Sequence, residues 1–163
     1  MKPLEFLTLQ DENQHLQLRL IGNIDENVTY PSFDFSLYKE LTLDLSGIDL
    51  INSTGIQSWI IFFKSIPESI NINFDKCNIR VINQINQFPG FLDGRKINYK
   101  SFFAPYFCED CDRSIDSLIV VEEHKEDLFN TVAPQFNCSC NQPLEFDSLE
   151  KKYFKFLEEY KVA

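Results

Sequence analysis

Between Leu41 and Trp59 the chain reads LTLDLSGIDLINSTGIQSW, and its hydrophobic period changes once along the way. That change restricts the architectures open to it. Leu41, Leu43 and Leu45 recur at period two, as in a strand with one buried face. Ser46-Gly47 breaks the alternation, and the polar cluster Asn52-Ser53-Thr54-Gly55 follows. Beyond it Ile56, Trp59, Ile60 and Phe63 fall at i, i+3, i+4, i+7, one apolar stripe of a helix that begins near Thr54. Asn, Ser and Thr suit that junction because their side chains accept bonds from the orphan N–H groups of a helix start.

The same two periods recur on both sides. Leu16, Leu18 and Leu20 alternate with Gln17 and Arg19, after a short strand from Leu4 to Leu9 and a turn through Asp11-Glu12-Asn13. Pro67 stops the first helix, ININ at residues 70–73 gives another strand, and Val81, Ile82, Ile85 and Phe88 predict a helix from near Asn78 to Pro89-Gly90. Strands separated by single helices make an α/β (α+β) chain, a mixed β-sheet with helices packed on it. The 163 residues are 44% hydrophobic and include sixteen Phe, enough for a sizeable core. No run approaches the roughly eighteen apolar residues of a membrane span, and MKPLEFLTLQDENQ does not read as a signal peptide. A cytoplasmic location without direct membrane insertion is expected, and its reducing conditions make the five Cys thiols or metal ligands first.

Charge divides the chain. Residues 101–147 hold ten Asp and Glu against two Lys and Arg, a net of -8, while the remainder carries only -2. Four Cys lie in the same stretch. Cys108 and Cys111 are spaced C-x2-C, and Cys138 and Cys140 follow in NCSCN. Two Cys-bearing turns joined through strands such as SLIVV resemble a zinc ribbon, which implies one structural zinc per chain held by Cys108, Cys111, Cys138 and Cys140. Ribbons generally use C-x2-C twice, and Asn137 stands where the second pair would begin. Cys138 therefore reaches the metal from a distorted knuckle, or the site has three strong ligands; metal-free buried thiols or a disulfide are the alternative. Many ribbons bind nucleic acid, but a net of -8 repels phosphate, so no nucleic-acid partner is expected. The expected organisation is a first domain over residues 1–100, a zinc-ribbon-like module over 101–147, and an amphipathic helix over 148–163. That helix would carry Leu149, Tyr153, Phe156, Leu157 and Tyr160 on one stripe, with Asp147 and Glu150 forming a capping-box-like start. Cys77 reads as a core thiol, His15 as isolated, and His124 as a spare-ligand candidate or a solvated edge residue.

LDLSGIDLINSTG before an amphipathic helix resembles the core motif of STAS domains, named for sulfate transporters and anti-sigma factor antagonists. The family's usual pattern is a hydrophobic strand ending in Asp-x-Ser-Gly, a short apolar loop, and Asp-Ser-Ser-Gly opening a helix. Asp44-Leu45-Ser46-Gly47 and Asn52-Ser53-Thr54-Gly55 stand in that order and spacing, and LRLIGNID is similar to the family's first long strand. The resemblance covers roughly residues 4 to 100. It implies a sheet backed by several helices, no catalytic machinery, and a bacterial signalling role. In the anti-sigma factor antagonist branch a partner kinase phosphorylates the first Ser of Asp-Ser-Ser-Gly and so switches partner binding. Carried over, this makes Ser53 the phosphoacceptor candidate and Asn52, Ser53, Thr54 and Gly55 the partner-binding loop. A helix N-terminus is a favourable place for the added phosphate. Asn52 departs from the family's Asp; its amide can cap the helix but carries no charge.

The expected function is therefore a non-catalytic protein-interaction module with an anti-sigma or kinase-like partner. The alternative is a STAS-like cytoplasmic subunit of a membrane transport complex. A nucleic-acid-binding ribbon or an enzyme ranks below both, since the sequence holds no Gly-rich phosphate loop, nucleophile elbow or open metal position.

Overall fold

A computed structural model describes residues 2–158. Asn13 and Gln14, at φ 53° and 61°, turn strand β1 (Glu5–Glu12) into strand β2 (His15–Ile24). Two left-handed central residues give the hairpin turn whose twist matches its strands. The turn thus lies one step beyond the expected Asp11-Glu12-Asn13, and Glu12 already pairs with His15. Strands β3 (Glu40–Ile51), β4 (Asn71–Asp75) and β5 (Ile97–Tyr99) add in parallel, giving a mixed sheet of order β1-β2-β3-β4-β5.

Ser46-Gly47 does not end β3. Arg19 pairs with Asp44 but Ile21 pairs with Gly47, so β3 carries one additional residue and continues past a bulge. Glycine is needed there because a Cβ at Gly47 would lie 2.7 Å from the carbonyl oxygen of Leu20. A bulge and a strand end look alike in sequence, since both interrupt the alternation.

Helices α1 (Ser53–Ser65) and α2 (Ile79–Gln87) are the crossovers of the parallel strands and begin where the sequence predicts. They pack on the face that carries Leu16, Leu18, Leu20, Leu41, Leu43 and Leu45, all buried. Phe63 of α1 meets Phe74 edge-on at 6.1 Å, and Trp59 stacks between Phe63 and Phe91 while its indole N–H donates to the Phe91 carbonyl. Phe88 falls just outside α2 and is 41% exposed, because Pro89 starts a 3-10 turn that carries Phe91 inward in its place. On the opposite face His15, Thr42, Glu40, Asn73 and Asn98 are linked by side-chain hydrogen bonds across four strands.

A second, antiparallel sheet of order β7-β6-β8 is built from β6 (Ser101–Cys108), β7 (Arg113–Val120) and β8 (Glu145–Phe146). Only Lys100 separates β5 from β6. The Cys77 N–H donates to the Ser101 carbonyl and the Phe103 N–H donates to the Cys77 carbonyl, so backbone bonds join the start of β6 to the residue before the Asn78 cap of α2. Cys77 is fully buried, as a core thiol should be.

The end of the chain differs from one continuous helix. A single turn, α4 (Glu150–Tyr153), passes into a 3-10 turn over Phe154–Leu157. Tyr153, Phe156 and Leu157 are buried as expected, but Leu149 is 72% exposed, and Tyr160 lies outside the described residues. Glu150 forms no capping box; its Oε1 accepts from the Ala133 N–H at 2.7 Å. Tightening to 3-10 geometry brings Phe154 and Phe156 together onto Phe102.

Candidate metal centre and interaction loop

Cys108 ends β6 and Arg113 begins β7, so Cys111 lies in the tight turn between them, with Asp112 at φ 50°. The second pair sits in a loop closed on itself: the Cys138 N–H donates to the Gln142 carbonyl, and Leu144 N–H to the Phe136 carbonyl. Tyr106, on β6, donates its hydroxyl proton to the Pro134 carbonyl at 2.7 Å and fixes that loop against the sheet. The two loops bring the sulfurs of Cys108, Cys111, Cys138 and Cys140 within 4.8 Å of one another. Cys108 and Cys140 are 3.6 Å apart, Cys111 and Cys138 3.9 Å. Four soft donors so close together can hold a metal ion.

The surroundings single out Cys138 as the thiolate of the metal-free cluster, while the neighbouring sulfurs push the Cys108 and Cys140 thiols up. The Cys140 backbone N–H, above all, holds the Cys138 thiol down to about 6, against burial that pushes it up. The Arg113 guanidinium sets a positive charge toward Cys111 and Cys138, and their sulfurs in turn push its own pKa up. Sequence reasoning passed over Arg113. Its signal was present: it is the first base after Lys100, in an acidic stretch, two residues past the first Cys turn. His124 is not part of the cluster; it precedes helix α3 (Lys125–Phe129) and packs edge-on to Phe136.

The second group of residues surrounds the start of α1. Asn52 is the cap: its Oδ1 accepts from the Gly55 N–H at 2.8 Å. Its Nδ2 donates to Glu26 Oε2 at 2.7 Å, and its backbone N–H to the Ile24 carbonyl. Gly55 is buried against the chain at residues 24 and 25, where any Cβ would collide with the Ile24 carbonyl oxygen. Ser53 and Thr54 are exposed, in the first turn of the helix, and exposed Leu50 and Ile61 stand on β3 and α1 on either side in sequence. An amide at residue 52 performs both tasks, capping the helix and donating to a carboxylate; an aspartate could do only the first. Glu26 lies far from Asn52 in sequence, and nothing in its local pattern marks it.

Asp44 and Ser46 serve the fold. Both the N–H and the hydroxyl of Ser46 donate to Asp44 Oδ1, while Arg19 pairs with Oδ2 at 2.9 Å. Burial alone pushes the Asp44 carboxyl up, but the Ser46 and Arg19 bonds outweigh it and hold the group below the usual carboxylate value.

Among the described residues no helix is long and apolar enough to cross a membrane. A comparison with protein-family models finds none that matches this chain, and a search of curated proteins returns no match.

Proposed function

We propose that the chain is a non-catalytic protein-interaction module of the STAS type, similar to anti-sigma factor antagonists, with one structural zinc. The observation that carries the docking reading is the exposed Ser53 at the start of a thirteen-residue helix whose cap is supplied by its neighbour Asn52. Because Ser53 is not engaged as the cap, its hydroxyl is free for modification, and the helix dipole stabilises an added phosphate. The five-stranded mixed sheet with α1 and α2 on one face supports the STAS reading. Leu50 and Ile61 supply apolar contacts for a partner protein on this surface.

The zinc reading rests on the sulfurs. Four thiolates at Zn–S distances of about 2.3 Å form a tetrahedron with edges of about 3.8 Å. The separations of 3.6 and 3.9 Å lie on either side of that edge. The C-x-C pair thus fits a four-thiolate site. Such a site is closed to water and substrate, so the metal would be structural. Metal analysis of freshly purified, reduced protein tests it: about one zinc per chain is expected, and none overturns it.

The docking reading is tested by comparative capture. A protein from the native organism that binds the wild type, and is lost with Ser53→Asp and with Ile61→Glu at unchanged melting temperature, supports it. Equal capture by all three forms, or no capture, overturns it.

A further inference from the structure

We propose that the free edge of β7 docks an extended, cationic segment of a partner protein, taken up as an additional strand. This surface is separate from the Ser53 loop and does not rest on the STAS reading.

Among the described residues the two sheets have four edges, and three of them are blunted. β1 carries a bulge between Thr8 and Gln10 and the carboxylates of Glu5, Asp11 and Glu12. β5 has three residues and β8 has two. β7 differs from all of these. Its eight residues pair with β6 in unbroken register from Arg113 to Val120, without bulge or proline. No backbone bond from a turn or loop engages residues 113–119. A regular edge of that length presents a row of unpaired N–H and C=O groups, the feature that strand addition uses.

Two further observations identify the occupant. An open groove of about 500 Å³ runs beside the edge, lined by Ile115, Ser117 and Leu118 of β7 and by Phe136 and Leu144 of the second Cys loop, with Arg113 at one end of the strand. It accepts the apolar, alternate side chains of an added strand. The surrounding residues 101–147 carry a net of -8 with Arg113 counted, and Asp116 is exposed at the middle of β7, away from Arg113 at its first residue. That field attracts Lys and Arg and repels nucleic acid and anionic lipid. It also opposes pairing of two copies through this edge, since both would bring the same charge.

The test uses the full chain and a labelled eight-residue peptide of alternating Lys and Val, followed by fluorescence anisotropy. Two control peptides accompany it, one N-methylated at alternate backbone nitrogens and one with Glu in place of Lys. Binding of the Lys-Val peptide is expected, weakened at least about tenfold by N-methylation, by the Glu exchange, and by Leu118→Asp, but not by Leu37→Asp at an exposed leucine elsewhere. Slower amide exchange in residues 113–119 should accompany it. Equal binding of the N-methylated peptide would reduce the effect to charge attraction and overturn the proposal. Absence of binding overturns it too, as does a dimer in light scattering that Leu118→Asp dissolves.

Discussion

Asn52 and Glu26 share a hydrogen bond of 2.7 Å, from the amide that caps α1 to a carboxylate on the segment after β2. One side chain thereby ties the first turn of the helix to the chain it packs against. Asn52→Ala removes both bonds and should cost about 0.5–2 kcal/mol in urea unfolding. Asn52→Asp keeps the cap but sets a second carboxylate against Glu26. Glu26→Gln should therefore recover stability when combined with Asn52→Asp and lose it in the wild type. The same sign of change in both backgrounds would mean that the amide–carboxylate bond contributes nothing.

Ser53 stands inside the helix, one residue past the cap, and this separates its two possible roles. Ser53→Ala should alter stability by no more than about 0.5 kcal/mol, the range of an exposed substitution. Ser53→Asp gains from the helix dipole, by about 0.3–1 kcal/mol, with Glu26 nearby opposing it. Thermal melts should therefore nearly superimpose for all three forms while partner binding is lost only in the Asp variant. A melting temperature that falls sharply in Ser53→Ala would make Ser53 structural.

Chelation should act locally. Coordination by four thiolates contributes on the order of 10 kcal/mol of folding free energy in small zinc modules. Removing the metal, or replacing Cys108 by Ser, should therefore deprotect amides in residues 101–147 on hydrogen exchange. Protected amides of β2 and β3 should change much less. Uniform protection after chelation would mean that the cysteines hold no metal that matters to the fold.

Acid should loosen the sheet through Asp44. Its folded value lies below the usual one, so its contribution is present above the unfolded value of about 4 and is lost as pH falls through the folded value. Asp44→Asn should be less stable at neutral pH by about 1–2 kcal/mol, modest because Arg19 is 37% exposed and can turn to water. The two unfolding curves should approach each other as pH falls below about 4 and converge only below the folded value. Parallel pH profiles for wild type and variant would show that Asp44 is not the group being protonated.

What could be read directly from the sequence was whatever repeats at short range. The Leu16–Leu20 and Leu41–Leu45 alternations, the starts of α1 and α2, and the Cys spacing each lie within about ten residues. What could not be read was set by partners distant in the chain. β5 is three residues long, too short to show a period, and exists because Ile72, Asn73 and Phe74 pair with it. β8 has two residues held by Tyr106 and Phe107. Glu26 gained its role only when β3 brought Asn52 beside it, and Glu150 was drawn from a cap to Ala133 by the loop after α3. The C-x-C pair was ambiguous because backbone geometry, not spacing, decides whether Cys138 faces Cys111.

Trp59 is the only tryptophan, and its indole sits between Phe63 and Phe91 with its N–H held by a carbonyl. None of its ring neighbours belongs to the Cys-bearing loops. Excited selectively over the six tyrosines, that indole answers to the melting of the helix-covered sheet, while a spectroscopic substitute such as cobalt at the four sulfurs would report on the second region through its visible d–d absorption. Two optical channels in one cuvette can therefore record the order in which the two regions come apart.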